Sequence, residues 1–279
     1  MKRIFVLVVL AAVTFAGTRA MAATPQAHAR LYINGVFNDR SRDFDHINTV
    51  TGGYIGRWTR GGEWRLNGTE IDEFRAYNVA LSDDQIAQLA TEVGGSNPML
   101  PDNLVIQSSF EGSYANSATG AASAGATGDA IPNDAGGSAP LNFISGQAGG
   151  GQALQFGTGL NDLGYDDAAL ANVAGLSGAT FSMFFKHGTT PSGTPGWLFN
   201  FTGTPGNDFG SRINTNSDSY RALANQGNFF GGGPANQAGF DHVTFVVTRA
   251  VPVPAAVWLA MPLLGGLGVA GWLRRRKSA

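Results

Sequence analysis

Residues 70–74 read Glu-Ile-Asp-Glu-Phe, and carboxylates in such a pattern can serve as nucleophile and general acid. Retaining cleavage of a glycosidic bond needs two carboxyl groups about 5 Å apart on one face. On a regular strand, positions 70, 72 and 74 share a face, and position 74 is Phe. Glu73 would point the other way, so the second catalytic carboxyl is missing. The pattern favours a protein without this activity, with hydrolysis as the weaker alternative.

Two tryptophans and their neighbouring arginines could bind a ligand without catalysis. Trp58 and Trp64 share a short stretch with Arg57 and Arg65. Flat aromatic rings stack on sugar rings, and a guanidinium group donates hydrogen bonds in a fixed geometry. We predict a ligand-binding surface at these four residues. The alternative is one core tryptophan with a solvated basic rim.

The composition of residues 24–249, taken as the mature body, excludes several classes of protein. This body has 11 Lys and Arg against 20 Asp and Glu, a net charge of −9. Nucleic acid is excluded as a partner because its phosphate backbone demands a basic surface. The chain has no cysteine, so a hydrophobic core and not disulfides must hold the fold. None of the four histidines has a partner four residues away, which argues against a helical zinc motif.

Short runs rich in aromatic and β-branched residues, separated by Gly, Asn and Asp, recur along the body. This pattern predicts an all-β fold, an antiparallel jelly-roll sandwich. In residues 180–186, alternation should send Phe181, Met183 and Phe185 into the core, and Asn34-Gly35 predicts a hairpin turn. The predicted strands are residues 30–36, 54–58, 70–77, 104–110, 153–156, 180–186, 197–201 and 242–248.

One short helix is expected within this β pattern. Ser82 and Gln85 have the spacing of a capping box, and apolar residues follow at Ile86 and Leu89. Gly94 would end the helix.

The beginning of the chain has the order of a secretion signal. Lys2 and Arg3 precede an uncharged apolar stretch over residues 4–18, and Ala20-Met21-Ala22 supplies small residues for cleavage. We predict that residues 1–23 are a signal peptide, recognised by the secretion machinery and removed.

The end of the chain predicts a membrane segment. Residues 250–273 carry no charge, which suffices to span a bilayer as a helix. A basic cluster that stays on the cytoplasmic side follows, namely Arg274, Arg275, Arg276 and Lys277.

This tail resembles a PEP-CTERM sorting signal in its VPLPA variant, with the motif Val251, Pro252, Val253, Pro254 and Ala255. Position 253 is Val where the variant has Leu. The resemblance implies that residues 250–279 hold an exported protein in the inner membrane until an exosortase-type enzyme processes it. The alternative is a plain C-terminal anchor.

The body resembles LamG-like jelly rolls of the concanavalin A-like lectin/glucanase superfamily. Residues 24–95 match the closing half, through "LYINGV" at 31–36 and "IDEFRAYN" at 71–78 followed by "ALSDDQI". Residues 104–249 match the opening half, through "GGQALQF" at 150–156 and "HVTFVVTR" at 242–249. The order of the halves is reversed.

The reversed order predicts a circularly permuted domain, with residues 96–103 linking the old ends. In the family, a hairpin joins the strand like 242–249 to the strand like 30–36. We therefore predict that residues 31–36 and 243–248 are antiparallel neighbours. The alternative is two incomplete domains that need partners.

The resemblance to LamG-like jelly rolls also has implications for catalytic and calcium-binding residues. Residues 70–74 are similar to the catalytic strand of family-sixteen glucanases, which share the fold, but here the acid–base partner is missing. LamG-like domains often bind Ca²⁺ through the Asp of this strand, Asp72 here, and an early-loop Asp whose place is taken by Asn116. Calcium is thus the one cofactor expected.

Together, these observations predict an exported protein of the cell surface or extracellular matrix whose module is non-catalytic. It would bind an extracellular polysaccharide or another surface component. A purely structural matrix role is the alternative.

Overall fold

The computed structural model describes fifteen stretches of the body. They are residues 26–45, 49–57, 66, 68–92, 101–118, 130–134, 141–147, 151–157, 161–165, 178–188, 196–204, 207–214, 219–224, 228–235 and 239–249. The predicted signal peptide and sorting tail, together with Trp58, Trp64 and Arg65, lie outside these residues. Among the described residues, no helix is both long and apolar enough to cross a membrane.

Strands dominate the described residues, as the sequence predicts, with one α-helix, α1 (Asp83–Leu89), and a short 3₁₀ turn, Pro101–Asn103. The strands are β1 (Gln26–Ile33), β2 (Val36–Arg40), β3 (Phe44–Asp45), β4 (Thr49–Ile55), β5 (Glu70–Tyr77), β6 (Leu104–Ser108), β7 (Ile131–Asp134), β8 (Asn142–Ser145), β9 (Gln152–Gln155), β10 (Asn161–Tyr165), β11 (Gly178–Lys186), β12 (Gly196–Thr204), β13 (Asn207–Asn214), β14 (Ser219–Ala224), β15 (Phe229–Phe230) and β16 (Asp241–Arg249).

These strands form two antiparallel sheets. The first sheet has the order β2-β1-β16-β11-β5-β9-β8, with β3 beside β1 and β6 beside β5. The second has the order β15-β14-β13-β12-β4-β10-β7. Both sheets contain strands from before and after the predicted linker, since β5 pairs with β11 and β4 pairs with β12. Residues Gln26–Ala250 accordingly form one compact unit.

The predicted antiparallel pairing of residues 31–36 with 243–248 is confirmed for the part that is strand. Leu31 faces Phe245 and Ile33 faces Val243, while at the other end Ala27 faces Arg249. The two chain ends of the body therefore leave the first sheet side by side. We call this end of the sheet, at Ala27 and Arg249, the base, and the opposite end, at Ile33, the tip.

The core between the sheets is built from phenylalanines. Phe181 of β11 stacks on Phe201 of β12 with ring centroids 4.9 Å apart, and Phe209 and Phe245 extend the layer. Phe181, Met183 and Phe185 all belong to this core, as alternation predicts. Rings of this size bury large apolar areas, which supplies the stabilisation that a cysteine-free chain cannot draw from disulfides.

A second, smaller cluster lies where α1 covers the outer face of the first sheet. The predicted capping box is present, because the Ser82 side chain accepts from the Gln85 N–H and the Gln85 side chain accepts from the Ser82 N–H. Ile86 and Leu89 of the helix are buried against Tyr32 and Val246, among other residues. The helix ends at Leu89 with Ala90 as its cap, and Gly94 lies outside the described residues.

The predicted hairpin turn is also confirmed. Asn34 and Gly35 have φ angles of +52° and +77°, the left-handed pair that a type I′ turn requires. The Asn34 side chain then ties this turn to the neighbouring strand. It donates to Asp241 at 2.8 Å and accepts from the His242 N–H at 2.8 Å. The tip is thereby fixed by polar contacts between the first and last strands.

Candidate functional site

The acidic strand β5 is not regular, and this corrects the expectation that positions 70, 72 and 74 share a face. The register of β5 against β11 shifts between Ser182 and Phe184, which face Arg75 and Asp72 respectively. Glu73 has a φ of +51° and inserts one extra residue as a β-bulge. Beyond the bulge, Phe74 points into the core, where it is fully buried.

Two of the three carboxylates on β5 have basic partners. Lys186 lies 3.2 Å from Glu70. Arg75 lies 3.4 Å from Glu73 and 2.5 Å from Glu92, and its side chain is almost wholly buried. Because removing one member of a buried ion pair strands the other charge, these contacts give the acidic strand a structural role.

Asp72 is different, because one of its oxygens has no hydrogen-bond partner. Asp72 is 2% exposed, and its Oδ2 accepts from the Gln147 N–H at 3.1 Å. Its Oδ1 and the Gln147 Oε1 are both buried without a hydrogen-bond partner. Burial raises the pKa of Asp72 to about 6, and the charge of Glu111 adds to the rise.

The same environment acts on Glu73. Burial raises the pKa of Glu73 to about 7, against the opposing charge of Arg75 and with support from Asp72 and Glu111. Burial and neighbouring negative charges thus disfavour the ionised forms of both Asp72 and Glu73. Two orphaned oxygens at Asp72 and Gln147 are the hard donors that Ca²⁺ prefers.

Asn116, the second predicted calcium ligand, fits the ion less well. Its amide oxygen accepts from the Gln107 and Ala118 N–H groups at 2.9 and 3.1 Å, and its nitrogen donates to the Val105 carbonyl at 3.1 Å. Both lone pairs of the oxygen are thus engaged in holding the loop to β6. Within the described part of the chain, no group of three or more His, Cys, Asp or Glu residues is arranged to hold a metal.

A separate polar surface lies on the side of the second sheet that faces away from the core, here called the outer face. Tyr54, Arg212, Arg221 and Phe229 each adjoin a residue that packs into the core, so alternation turns their side chains outward. The flanking core residues are Ile55, Ile213, Tyr220 and Phe230.

Arg57, the one predicted ligand-binding residue in the described part of the chain, lies beside this face. Its guanidinium group sits over the Tyr54 ring, 5.0 Å from the centroid, and 3.8 Å from the carboxylate of Asp162. Asp162 is fully buried, so the ion pair anchors Arg57 while a quarter of its side chain remains exposed, at 26%.

The backbone conformation of Gly56 determines where Arg57 leaves the sheet. Gly56 has a φ of +87°, and a Cβ on it would lie 2.5 Å from the Phe156 ring. Its N–H donates to the Leu198 carbonyl at 3.2 Å, which continues the ladder of β4 with β12. Arg57 therefore leaves β4 at the level of Trp197.

Two further arginines line the outer face, and sequence reasoning missed both. Arg212 of β13 faces Trp197 of β12 on one side and Arg221 of β14 on the other. Its guanidinium group lies 4.1 Å from the centroid of Phe229 and 5.7 Å from that of Trp197. Only the strand register brings these side chains together, and the sequence offers no local signal of it.

Small residues leave part of the outer face uncovered. A Cβ on Gly52 would meet nothing within 4 Å, and one on Gly164 would reach ordinary contact with the Tyr54 ring at 3.5 Å. Open space therefore lies above Gly52, two residues before the half-buried Tyr54 on the same strand.

No protein-family model, curated protein or solved structure matches this chain. The function must accordingly be argued from the motifs and from the geometry of the described residues.

The raised pKa of Asp72 has a consequence for stability. A folded-state pKa of about 6, against an ordinary value of 3.8, means that folding favours the protonated form. The free energy of unfolding is therefore highest, as far as Asp72 is concerned, below pH 3.8, and it falls as the pH rises through 6. By pH 7 the loss amounts to about 2 to 3 kcal/mol. In EDTA, Asp72→Asn should be more stable than wild type at pH 7, and the advantage should vanish at pH 4. Urea unfolding at both pH values measures it.

The exposed Asp102→Asn is the matched control and should track wild type at both pH values. Parallel profiles for wild type and Asp72→Asn would contradict the account. Repeating the pH 7 titration with millimolar calcium tests the metal, because a bound ion should stabilise wild type and not Asp72→Asn. Equal behaviour of both proteins in calcium would remove the metal from Asp72.

Proposed function

We propose that this chain is an exported protein, sorted to the cell surface or extracellular matrix, whose body is a non-catalytic LamG-like jelly roll that binds carbohydrate. The observation that carries the proposal is the pairing of Ala27 with Arg249 at the base. It supports a domain whose first and last residues lie side by side, which suits attachment through the C-terminal tail.

The permuted order of the domain is part of this proposal. The strand that in the family precedes "LYINGV" corresponds to β16 here, and β16 is the neighbour of β1 without being consecutive with it. The linker between the old ends is tied to the end of β5, because the Asn78 N–H donates to the Asn103 carbonyl at 2.9 Å. Permutation at such a point is tolerated when ends already adjoin.

Display outside the cell follows from the two ends of the chain. The signal peptide would direct export, and the tail that follows Arg249 would hold the body in the inner membrane until an exosortase-type enzyme processes it. The base and the tip lie at opposite ends of β1, whose seven residue steps from Gln26 to Ile33 span about 23 Å.

Carbohydrate binding is assigned to the outer face of the second sheet. Tyr54 and the anchored Arg57 lie there, and Trp58 and Trp64 follow Arg57 in the sequence. A half-buried tyrosine ring near the open space above Gly52 offers a stacking surface for a sugar, and a fixed guanidinium group offers donors for its hydroxyls. A purely structural matrix role is the alternative, and it predicts no saccharide binding.

Glycoside hydrolysis is less well supported than binding. The bulge at Glu73 turns Phe74 into the core, and Glu70 and Glu73 are held by Lys186 and Arg75. Calcium at Asp72, with Gln147 as neighbour, would brace the end of β5 near the tip; its role would be structural.

Sorting by the proline motif can be tested by cell fractionation. A Pro252→Ala, Pro254→Ala variant should accumulate in the inner membrane as the longer form, because the processing enzyme no longer recognises it. Wild type should appear at the surface or in the medium as the shorter form. A variant that is distributed and sized like wild type would contradict sorting through this motif.

Saccharide binding can be tested with the secreted body on a glycan array. Tyr54→Ala should lose about tenfold in affinity for any bound neutral saccharide, because a stacked ring contributes about 1 to 2 kcal/mol. Phe37→Ala, an exposed aromatic on β2 of the other sheet, is the matched control and should bind as wild type. An absence of binding in wild type would favour the structural role.

A further inference from the structure

We propose that the segment after β15, residues 231–233, is a strap that closes the free edge of β2 and keeps a second copy of the body from pairing with it. The strap is hydrogen-bonded to Asn38 and Asp39 of β2. These bonds, here called the clasp, join the last strand of the first sheet to the second sheet. The inference concerns assembly and is independent of the proposed carbohydrate binding.

The edge that the strap closes is open to solvent. β2 is the end of the first sheet, and among the described strands it forms a ladder with β1 alone. All five of its residues are exposed, including the apolar Val36 at 69% and Phe37 at 50%. A strand in this position presents unpaired N–H and C=O groups to any other chain. β2 is therefore a place where two bodies could join their sheets.

Asn38 forms most of the clasp with its side-chain amide. Its Nδ2 donates to the Gly232 carbonyl at 2.7 Å, and its Oδ1 accepts from the Gly232 N–H at 3.0 Å. Two paired residues of a β-ladder exchange a donor and an acceptor in the same way. The carboxylate of Asp39 adds a third bond, since its Oδ2 accepts from the Gly231 N–H at 2.7 Å. Side chains of β2 thus hold the strap where a neighbouring strand would use its backbone.

A bulge in β2 frees Asn38 for the clasp. Phe37 and Asp39 face consecutive residues of β1, so Asn38 between them is the extra residue of the bulge. The second oxygen of Asp39, Oδ1, accepts from the Arg40 N–H at 2.7 Å. Both oxygens of this carboxylate therefore have backbone partners. Bulges and side-chain contacts of this kind are how native proteins protect the edge of a sheet.

The close approach of the strap to the first sheet depends on Gly231. This residue has a φ of +90°, and a Cβ on it would lie 2.5 Å from Cδ2 of Leu31. At the other end of the strap, the Gly233 carbonyl accepts from the Tyr220 N–H at 3.0 Å, which fixes it to β14. Neighbouring strands of a sheet lie about 4.8 Å apart. A second strand could therefore pair with β2 only after the strap had moved aside.

The side chains of β2 favour a second copy as the chain that would pair with it. Phe37 and Arg40 face Tyr32 and Arg30 of β1, and these two pack together on the outer face of the first sheet. Opposite residues of a ladder share a face, so Phe37 and Arg40 lie on that face too. A twofold axis through the edge pairs β2 with itself antiparallel. About the middle of the strand, it would set each Phe37 ring against the Arg40 guanidinium group of the other copy.

Sedimentation equilibrium tests the clasp on residues 24–250, which contain the compact unit Gln26–Ala250. Wild type should be monomeric at about 0.15 M salt, where the repulsion between bodies of net charge −9 is screened. Asn38→Ala with Asp39→Ala, the clasp-free variant, lacks all three bonds to the strap. Its dimer dissociation constant should fall about tenfold or more, because two new backbone hydrogen bonds contribute about that factor.

The matched control is Asp102→Ala, which removes one exposed carboxylate away from the clasp and should leave the protein monomeric. Asn38→Ala alone keeps the Asp39 bond and should tighten dimerisation by a smaller factor. It replaces the clasp-free variant if urea unfolding shows that variant to be unstable.

A lysine on the edge identifies the strand that forms the dimer. In the clasp-free variant, Phe37→Lys should restore the monomer, because two positive charges would then stand opposite each other across the new ladder. Ile131→Lys adds the same charge to β7 at the edge of the second sheet, where Ile131 is 59% exposed. It should leave the dimer intact.

The outcomes decide for or against the strap. A folded clasp-free variant that stays monomeric overturns the proposal, and so does a wild type that dimerises as tightly as the variant. Dimers that both lysines weaken equally, or that neither lysine weakens, also overturn it, because the contact then lies elsewhere. Saccharide binding on the glycan array is a separate readout, so the proposed function can fail or stand without affecting this result.

Discussion

The hydrogen-bonded ladder between the first and last strands of the body is the contact on which the rest of the structure depends. It runs from Ala27 opposite Arg249 to Ile33 opposite Val243, and it joins residues more than two hundred positions apart. Without it, β2 and β3 would lose the strand that attaches them to the first sheet, and β16 would become an edge. The loop entropy of this long closure is offset by a core of stacked phenylalanines.

The outer faces of the two sheets differ in what covers them. On the outer face of the first sheet, α1 packs on an apolar cluster and Arg75 pairs with Glu73 and Glu92. The bulge at Glu73 lets β5 keep Phe74 in the core while Asp72 stays outside. The outer face of the second sheet has open space above Gly52. The second sheet thus leaves room for a ligand, whereas buried ion pairs occupy the first.

Local patterns in the sequence predicted much of the fold. β5 was predicted with its observed bounds, and the alternation in β11 placed its core residues correctly, because large apolar residues at every second position leave one choice of face. The Asn34-Gly35 turn and the Ser82 capping box were predictable because each is a contact within four residues. The antiparallel pairing of β1 with β16 was predicted from the reversed order of motifs that resemble those of a known family.

The sequence did not predict the register between strands or the places where side chains depart from regular in–out alternation. β13 has Ser211, and β14 has Ala222 and Ala224, at core-facing positions where a strand pattern needs large apolar residues. Neither strand was predicted, and the Arg212 and Arg221 pair was missed with them. The bulge at Glu73 was missed because a non-glycine residue with positive φ has no sequence signature. Partners distant in the chain, such as Lys186 for Glu70, likewise depend on register.

The pairing of β1 with β16 is tested most directly by an engineered cross-link. His28 and Thr248 are opposite each other and half-buried, and the chain contains no cysteine. Under mild oxidation, His28→Cys with Thr248→Cys should form an intramolecular disulfide, detected as one linked peptide by mass spectrometry. His28→Cys with Ser145→Cys, five strands away on β8 and about 24 Å distant, should not. A missing link in the first pair, or equal linking in both, would contradict the account.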